Sequence, residues 1–182
     1  MGITKQEAKE FASVEVKSDR AVELLPLHVF FHICSTFSMF NTFGFPFANM
    51  LACGDMIFGG VMERFPKLKV AHLESGCGWV PFWLERMDEH WEHEGHGQAK
   101  TTREKPSFYF KRQCWASAEA GEELAPVFVE HVGDDYLLVA TDYPHLDVKY
   151  PHAIDTFLKL PFSDQMKRKW LWDNCARMYS FE

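Results

Sequence analysis

The segment Leu138-Val139-Ala140-Thr141-Asp142-Tyr143-Pro144-His145 ends an apolar run in a carboxylate, followed at once by an aromatic ring, a proline and a histidine. The run reads as a buried strand. Pro144 has no N–H to continue a ladder, so Asp142 is presented at the strand's C-terminal end. α/β folds assemble their chemistry at that edge; the competing reading is an aspartate that merely opens a turn. A second segment repeats the pattern. Lys69-Val70-Ala71-His72-Leu73 reads as a strand, Glu74 stands at its end, and Ser75-Gly76-Cys77-Gly78 turns the chain into the aromatic stretch that begins at Trp79. A carboxylate so placed serves as acid, base or hydrogen-bond acceptor, and it repels an anionic substrate unless protonated. His72 lies two residues before Glu74. Strand alternation puts both on one face, where the imidazole either pairs with Glu74 or joins it in chemistry.

The elements that must position these groups follow a strand–helix rhythm. Residues 4–23 read as a helix opened by a capping-box pattern from Thr4 to Glu7. A strand over 27–33 leads into an aromatic loop over 34–47 and a helix over 48–64. Strand 68–73, turn 75–79 and helix 80–93 form a second unit, and the polar stretch 94–106 is a loop. Strand 112–117 with helix 120–132 makes a third, and strand 136–141 with helices over 152–160 and 164–179 closes the chain. The strands are continuously apolar rather than alternating, which argues for a parallel sheet covered on both faces. An open doubly wound sheet fits this length. A (β/α)8 barrel, typically about 250 residues, would be supplied only in part.

Composition narrows the class. In 182 residues, 47% are apolar and 15% aromatic, enough for one domain with a real core and too much for a disordered chain. The net charge of −7 argues against nucleic acid or an anionic membrane surface as partner, and Lys167-Arg168-Lys169 reads as a solvated helix face. Five dispersed cysteines with no CxxC pair suit reduced thiols in a cytoplasmic enzyme better than disulfides or a zinc knuckle. Met1–Arg20 is charged throughout, unlike a secretory signal. The most apolar stretch, Leu24–Cys34, carries two histidines and falls short of the roughly 20 residues of a membrane span, so a soluble protein is expected.

Four segments in register carry a family resemblance. They are the two above, Phe58-Gly59-Gly60-Val61 with Glu63-Arg64-Phe65-Pro66, and Asp173-Asn174-Cys175-Ala176-Arg177-Met178-Tyr179. Together they resemble the amidohydrolase-related family of metal-dependent hydrolases and decarboxylases, from about residue 24 to about residue 180. Residues 1–23 match poorly and read as a separate helical segment before an amidohydrolase-related domain at 24–182. The resemblance implies a (β/α)8 TIM-barrel fold of which this chain supplies the C-terminal half, strands five to eight with their helices. It also implies a small-molecule substrate and a longer enzyme.

In that family a divalent metal is held by a pair of ligands from the first strand, a histidine ending the fifth and an aspartate ending the eighth. The resemblance makes Asp142 the eighth-strand ligand and general acid or base. Leu27-His28-Val29-Phe30-Phe31-His32 offers two candidates for the histidine; His32 is preferred because it lies nearer the strand end and heads a His-Ile-Cys-Ser sequence that resembles the His-Ile-Gly-Ser form common in relatives. A neutral imidazole and a carboxylate suit Zn²⁺ first and Mn²⁺ second. No Asp-x-His-x-His or Glu-x-His motif occurs near the N-terminus, so two implied ligands are missing. Glu74 stands where many relatives carry a histidine. Its charge weighs toward hydrolysis of a C–N or C–O bond, with decarboxylation as the alternative.

The remaining candidates carry less. His145 reads either as a catalytic or orienting partner of Asp142 or as an exposed loop histidine. Cys114 and Ser117 lack a nearby base and read as structural. His90, His93 and His96 read as an acidic, solvated helix terminus, with His96 placed beyond the helix end by Gly95. Trp79, Phe82, Trp83 and Trp91 read as barrel packing, and the Phe37–Phe47 stretch as the lining of a pocket for a cyclic or aromatic substrate. Two readings of other classes stand beside the enzyme. One is a non-catalytic remnant or assembly subunit, whose open sheet edges would favour homo-oligomers. The other is an open α/β binding domain, against which the lack of a Gly-rich phosphate loop counts for nucleotides.

Overall fold

The computed structural model describes residues 36–98, 101–145 and 149–181. The expected helix over 4–23 and strand over 27–33 lie outside them, as do His28 and His32. Three parallel strands, β1 (Val70–His72), β2 (Cys114–Glu119) and β3 (Leu137–Ala140), form a sheet in chain order with β2 central. Val70 pairs with Cys114 and His72 with Ala116; Ala116 then pairs with Leu137 and Glu119 with Ala140. Parallel neighbours need helical crossovers. These are α3 (Trp79–Gln98) with α4 (Pro106–Gln113) between β1 and β2, and α5 (Ala125–His131) between β2 and β3.

Before the sheet run α1 (Phe37–Phe58) and α2 (Val61–Arg64). After it come α6 (Ala153–Leu158), α7 (Asp164–Arg168), a π-helical turn at Lys169–Asp173 and α8 (Asn174–Tyr179). The sheet is a mixed α/β layer, as the continuous apolar strands imply. Alternation within β2 explains its two faces. Cys114, Ala116 and Ala118 belong to the core with Tyr109, Phe110, Phe128 and Trp170, and their small side chains let the helices approach closely. Ser117 and Glu119 project to the opposite face, where a cavity opens. Leu137 likewise joins the core, while Ala140 reaches the cavity.

Three sequence expectations are corrected. The loop expected over 34–47 is helical from Phe37, because Thr36 caps the end (Met39 N–H to Oγ1, 3.2 Å) and Cys53 and Ile57 anchor the same helix in the core. Pro46 forfeits one hydrogen bond inside it. Second, α4 replaces the early part of the strand expected over 112–117. Asp88 on α3 caps it, accepting the Ser107 N–H at 2.8 Å and hydroxyl at 2.6 Å, so the strand begins only at Cys114. Third, α3 runs through Gly95 to Gln98, placing His96 on the helix rather than beyond it.

The ends of the sheet are fixed by buried amides. Gln113 Nε2 donates to the carbonyls of Phe65 (3.1 Å) and Leu68 (2.9 Å), holding the approach to β1. Asn174, 1% exposed, donates from Nδ2 to the carbonyls of Leu137 (2.7 Å) and Asp134 (2.9 Å), fixing the start of β3. Asn174→Ala would leave a buried carbonyl without its donor, at a cost of about 1–3 kcal/mol. Urea denaturation should report that loss; an unchanged midpoint would contradict this role for the amide.

Candidate active site

β1 and β3 each deliver a carboxylate through a backbone turn that breaks strand alternation. Glu74 and Asp142 take positive φ values of 64° and 55°. The left-handed conformation costs a non-glycine residue about 1–2 kcal/mol, least for aspartate, whose short side chain bonds locally. At Glu74 the change of φ has a visible result. Simple alternation would leave Glu74 on the face of His72, yet Glu74 lines the cavity while His72 is 2% exposed among the helices. After β3 the backbone turns back on itself: the His145 N–H donates to the Asp142 carbonyl at 3.0 Å. This brings His145 Nδ1 to 3.0 Å from Asp142 Oδ2.

The two strand ends converge. Glu74, Asp142 and His145 each offer one donor atom, all within 4.8 Å of one another. Donors sharing one ion stand no more than about 4.4 Å apart, twice a 2.2 Å bond, so small side-chain rotations suffice for them to do so. Two carboxylate oxygens and an imidazole nitrogen are also a chemically suitable set for Zn²⁺ or Mn²⁺. The cluster sits at an open cavity of about 950 Å³. Phe37, Phe40 and Phe45 of α1 form an aromatic wall, Ser117 and Ala140 come from the strands, Leu73 follows β1, and Glu119 and Lys149 add charges of opposite sign. The aromatic stretch read as a pocket lining therefore reaches the cavity from a helix.

His72 is a correction. It does not pair with Glu74. Its ring stacks on Phe110 and meets Trp79 edge-on, at centroid distances of 5.9 and 5.5 Å. Asn49 spends its amide hydrogens on the Leu73 carbonyl (2.8 Å) and Ser75 Oγ (2.5 Å), leaving Oδ1 to accept from His72 Nδ1 at 3.2 Å. That network assigns the proton to Nδ1, and Nε2 lies buried without a partner. Burial accordingly pushes the imidazole pKa down to about 4. His72 thus supports the Glu74 loop through Asn49, on the far side of the sheet from the cavity.

The other candidates are placed elsewhere. His90 and His93 are exposed on α3, outside the cavity lining. Cys114 is fully buried at the start of β2, its thiol pKa pushed well up by burial. Ser117 is inside β2 rather than at its end, 3% exposed on the cavity side. Sequence reading missed Glu119, Lys149 and Asn49. Alternation from Ser117 within β2 could have found Glu119; the other two arrive through tertiary packing and left no local signal.

Against this geometry, comparison with known proteins is decisive about kinship. The sequence model of the Amidohydrolase family matches residues 18–181, and the chain belongs to that family. It is 32% identical over 101 residues to 2-amino-3-carboxymuconate-6-semialdehyde decarboxylase of Dictyostelium discoideum, covering 56% of this chain and 28% of that enzyme. The fold is similar to the crystal structure of 5-carboxyvanillate decarboxylase from Sphingomonas paucimobilis, with a TM-score of 0.60 and 25% identity over 71% of this chain and 38% of that one. A dihydroxybenzoic acid decarboxylase from Polaromonas sp., solved with bound manganese and the inhibitor 2-nitroresorcinol, shares the fold at TM-score 0.59 and 20% identity, over 72% of this chain and 39% of that one. The chain thus spans 28% of the curated relative and 38% of the first of these structures.

The neutral imidazole of His72 has a thermodynamic consequence. Unfolded, it titrates near 6.5; folded, near 4. The unfolded state therefore binds the extra proton between those values, so stability rises with pH there. His72's contribution is complete above about 6.5 and is lost as pH falls toward 4, roughly 3 kcal/mol in all. Denaturation midpoints of wild type should fall across that window, and His72→Gln should flatten the fall. Parallel pH profiles for the two proteins would contradict the assignment.

Proposed function

We propose that these residues form the C-terminal catalytic part of a metal-dependent carboxy-lyase acting on a small, unsaturated or aromatic carboxylic acid. In this reading β1, β2 and β3 take the places of strands six to eight of a (β/α)8 barrel. The observation that carries it is the convergence of Glu74, Asp142 and His145 within 4.8 Å at the mouth of an aromatic cavity. The decarboxylases among its relatives support the reaction class.

Glu74, Asp142 and His145 would hold the ion, with His32 the further ligand that the family resemblance implies. Bound there, a divalent cation would supply Lewis acidity and offset the carboxylates' repulsion of an acidic substrate. Lys149 provides a second cation at the same wall, suited to the substrate's carboxylate. Phe37, Phe40 and Phe45 hold its planar body and keep water from the reacting carbon. The bond from carbon to carboxylate breaks, CO₂ leaves, and the electron pair stays on the substrate carbon. A proton taken from solvent onto a carboxyl oxygen of Asp142 passes to that carbon, which returns Asp142 to the carboxylate. His145, 3.0 Å from Asp142 Oδ2, orients that carboxyl group.

The roles of Zn²⁺ or Mn²⁺ as native ion, a cytoplasmic setting and self-association belong to the same proposal. Free thiols at Cys53, Cys77, Cys114 and Cys175 suit a reducing compartment, and none of the described helices is long and apolar enough to cross a membrane. Among the described residues β1 and β3 stand at the edges of the sheet, and an edge left open would favour pairing of copies. A second reading, hydrolysis of a neutral C–N or C–O bond, is favoured by one observation: Glu74, Glu119 and Asp142 outnumber Lys149 on the cavity wall.

Release of CO₂ from aromatic and muconate-type acids by the Mn²⁺-loaded chain tests the choice. Asp142→Asn should lower it by roughly a thousandfold, and Lys149→Met should raise KM about tenfold, or 1.4 kcal/mol. Turnover of neutral amides or esters without any CO₂ release would establish the hydrolytic reading instead.

A further inference from the structure

Glu122 was not singled out by its sequence, yet three backbone N–H groups converge on its side chain. The Cys77 N–H lies 2.8 Å from Oε1 and 3.1 Å from Oε2, the Gly78 N–H 2.9 Å from Oε1, and the Glu119 N–H 3.2 Å from Oε2. Cys77 and Gly78 belong to the loop that carries Glu74 out of β1, immediately ahead of α3. Glu119 ends β2 and lines the cavity. One carboxylate therefore caps the start of α3 and ties two catalytic-edge loops together.

The glycines around it fit that role. Gly76 has φ of +61°, and a Cβ there would stand 2.7 Å from Glu122 Oε1. A Cβ on Gly78 would stand 2.4 Å from Leu124 Cδ1. The two loops interpenetrate, and only glycine leaves room. The far side of the same loop is held by Asn49, on the Leu73 carbonyl and Ser75 Oγ. Glu74, between them in a left-handed conformation, has its backbone clamped from both sides. Lys149 Nζ, donating to the Ala120 carbonyl, joins the β2 loop to the chain beyond β3 in the same manner.

We propose that Glu122 is a positioning residue: its carboxylate, accepting from Cys77, Gly78 and Glu119, sets the Glu74 loop so that Glu74 meets Asp142 and His145. This rests on reading those three as an ion site. Glu122 touches neither ion nor substrate and acts through Glu74.

The test is Glu122→Gln, which keeps the size but turns an amide N–H₂ toward backbone donors. The first readout, on the metal-free protein, is the alkylation rate of Cys77 by iodoacetamide, mapped by peptide mass. Cys77 is fully buried, and both burial and the Glu122 charge push its thiol pKa up. Loss of the Glu122 charge by itself favours the thiolate, so the shorter but still charged Glu122→Asp is measured beside it: loosening the loop should speed Cys77 modification in both variants, while Cys53 and Cys114, also fully buried, stay protected. The second readout is Mn²⁺ affinity by calorimetry. The dissociation constant should rise about 10–100-fold, and Glu122→Gln should add little in a Glu74→Gln background. Wild-type protection of Cys77, or additive losses in the double variant, would overturn the proposal. Wild-type Mn²⁺ affinity in both Glu74→Gln and Asp142→Asn would remove the ion site instead, and Cys77 alkylation would still decide whether Glu122 sets the loop.

Discussion

The parallel register of β2 between β1 and β3 is the constraint on which the site depends. It sends the loops after all three strands out of one edge of the sheet, so residues 68 positions apart in sequence, Glu74 and Asp142, reach the same few ångströms. Backbone hydrogen bonding sets the register, and fixed amides hold its ends: Gln113 before β1 and Asn174 at β3. Small residues on the core face of β2 let the helices close over it, which leaves the other face for the cavity. Both acidic residues then leave their strands through left-handed backbone, a local cost offset by packing elsewhere.

Much of this was legible in the sequence because strand ends are punctuated by strong local signals. Pro144 closes off the β3 unit just past Asp142, the strand itself ending at Ala140, and the Gly76–Gly78 turn marks the end of the β1 unit. What escaped was set by contacts distant in the chain. The cap that makes α4 a helix comes from Asp88, and the helix through Pro46 is anchored by residues further along it. His72 was misread because alternation holds only while the backbone stays extended; φ of 64° at Glu74 ends that condition one residue too soon. Glu122 had no signature at all, since two of its three partners are backbone N–H groups more than forty residues away.

The electrostatics of the cavity join the fold to its chemistry. Three carboxylates around one lysine form a site that is unbalanced without a further cation, and their oxygens with the His145 imidazole are ligands of the kind divalent ions take. Membership of the amidohydrolase family accounts for the segments along the chain that resemble it, each of which has a physical task here. Asn174 satisfies carbonyls at β3, Gly60 takes φ of +72° between α1 and α2, and the Glu74 and Asp142 turns bring two carboxylates to the cavity. Kinship and geometry thus point to one edge of one sheet.

X-ray absorption at the zinc edge of the Zn²⁺-loaded chain addresses the central claim most directly. The account predicts a shell of oxygen and nitrogen neighbours at about 2.0–2.2 Å, with imidazole scattering that weakens in His145→Ala. A sulfur shell near 2.3 Å, or a spectrum identical in wild type and in the combined Glu74→Gln, Asp142→Asn variant, would contradict it.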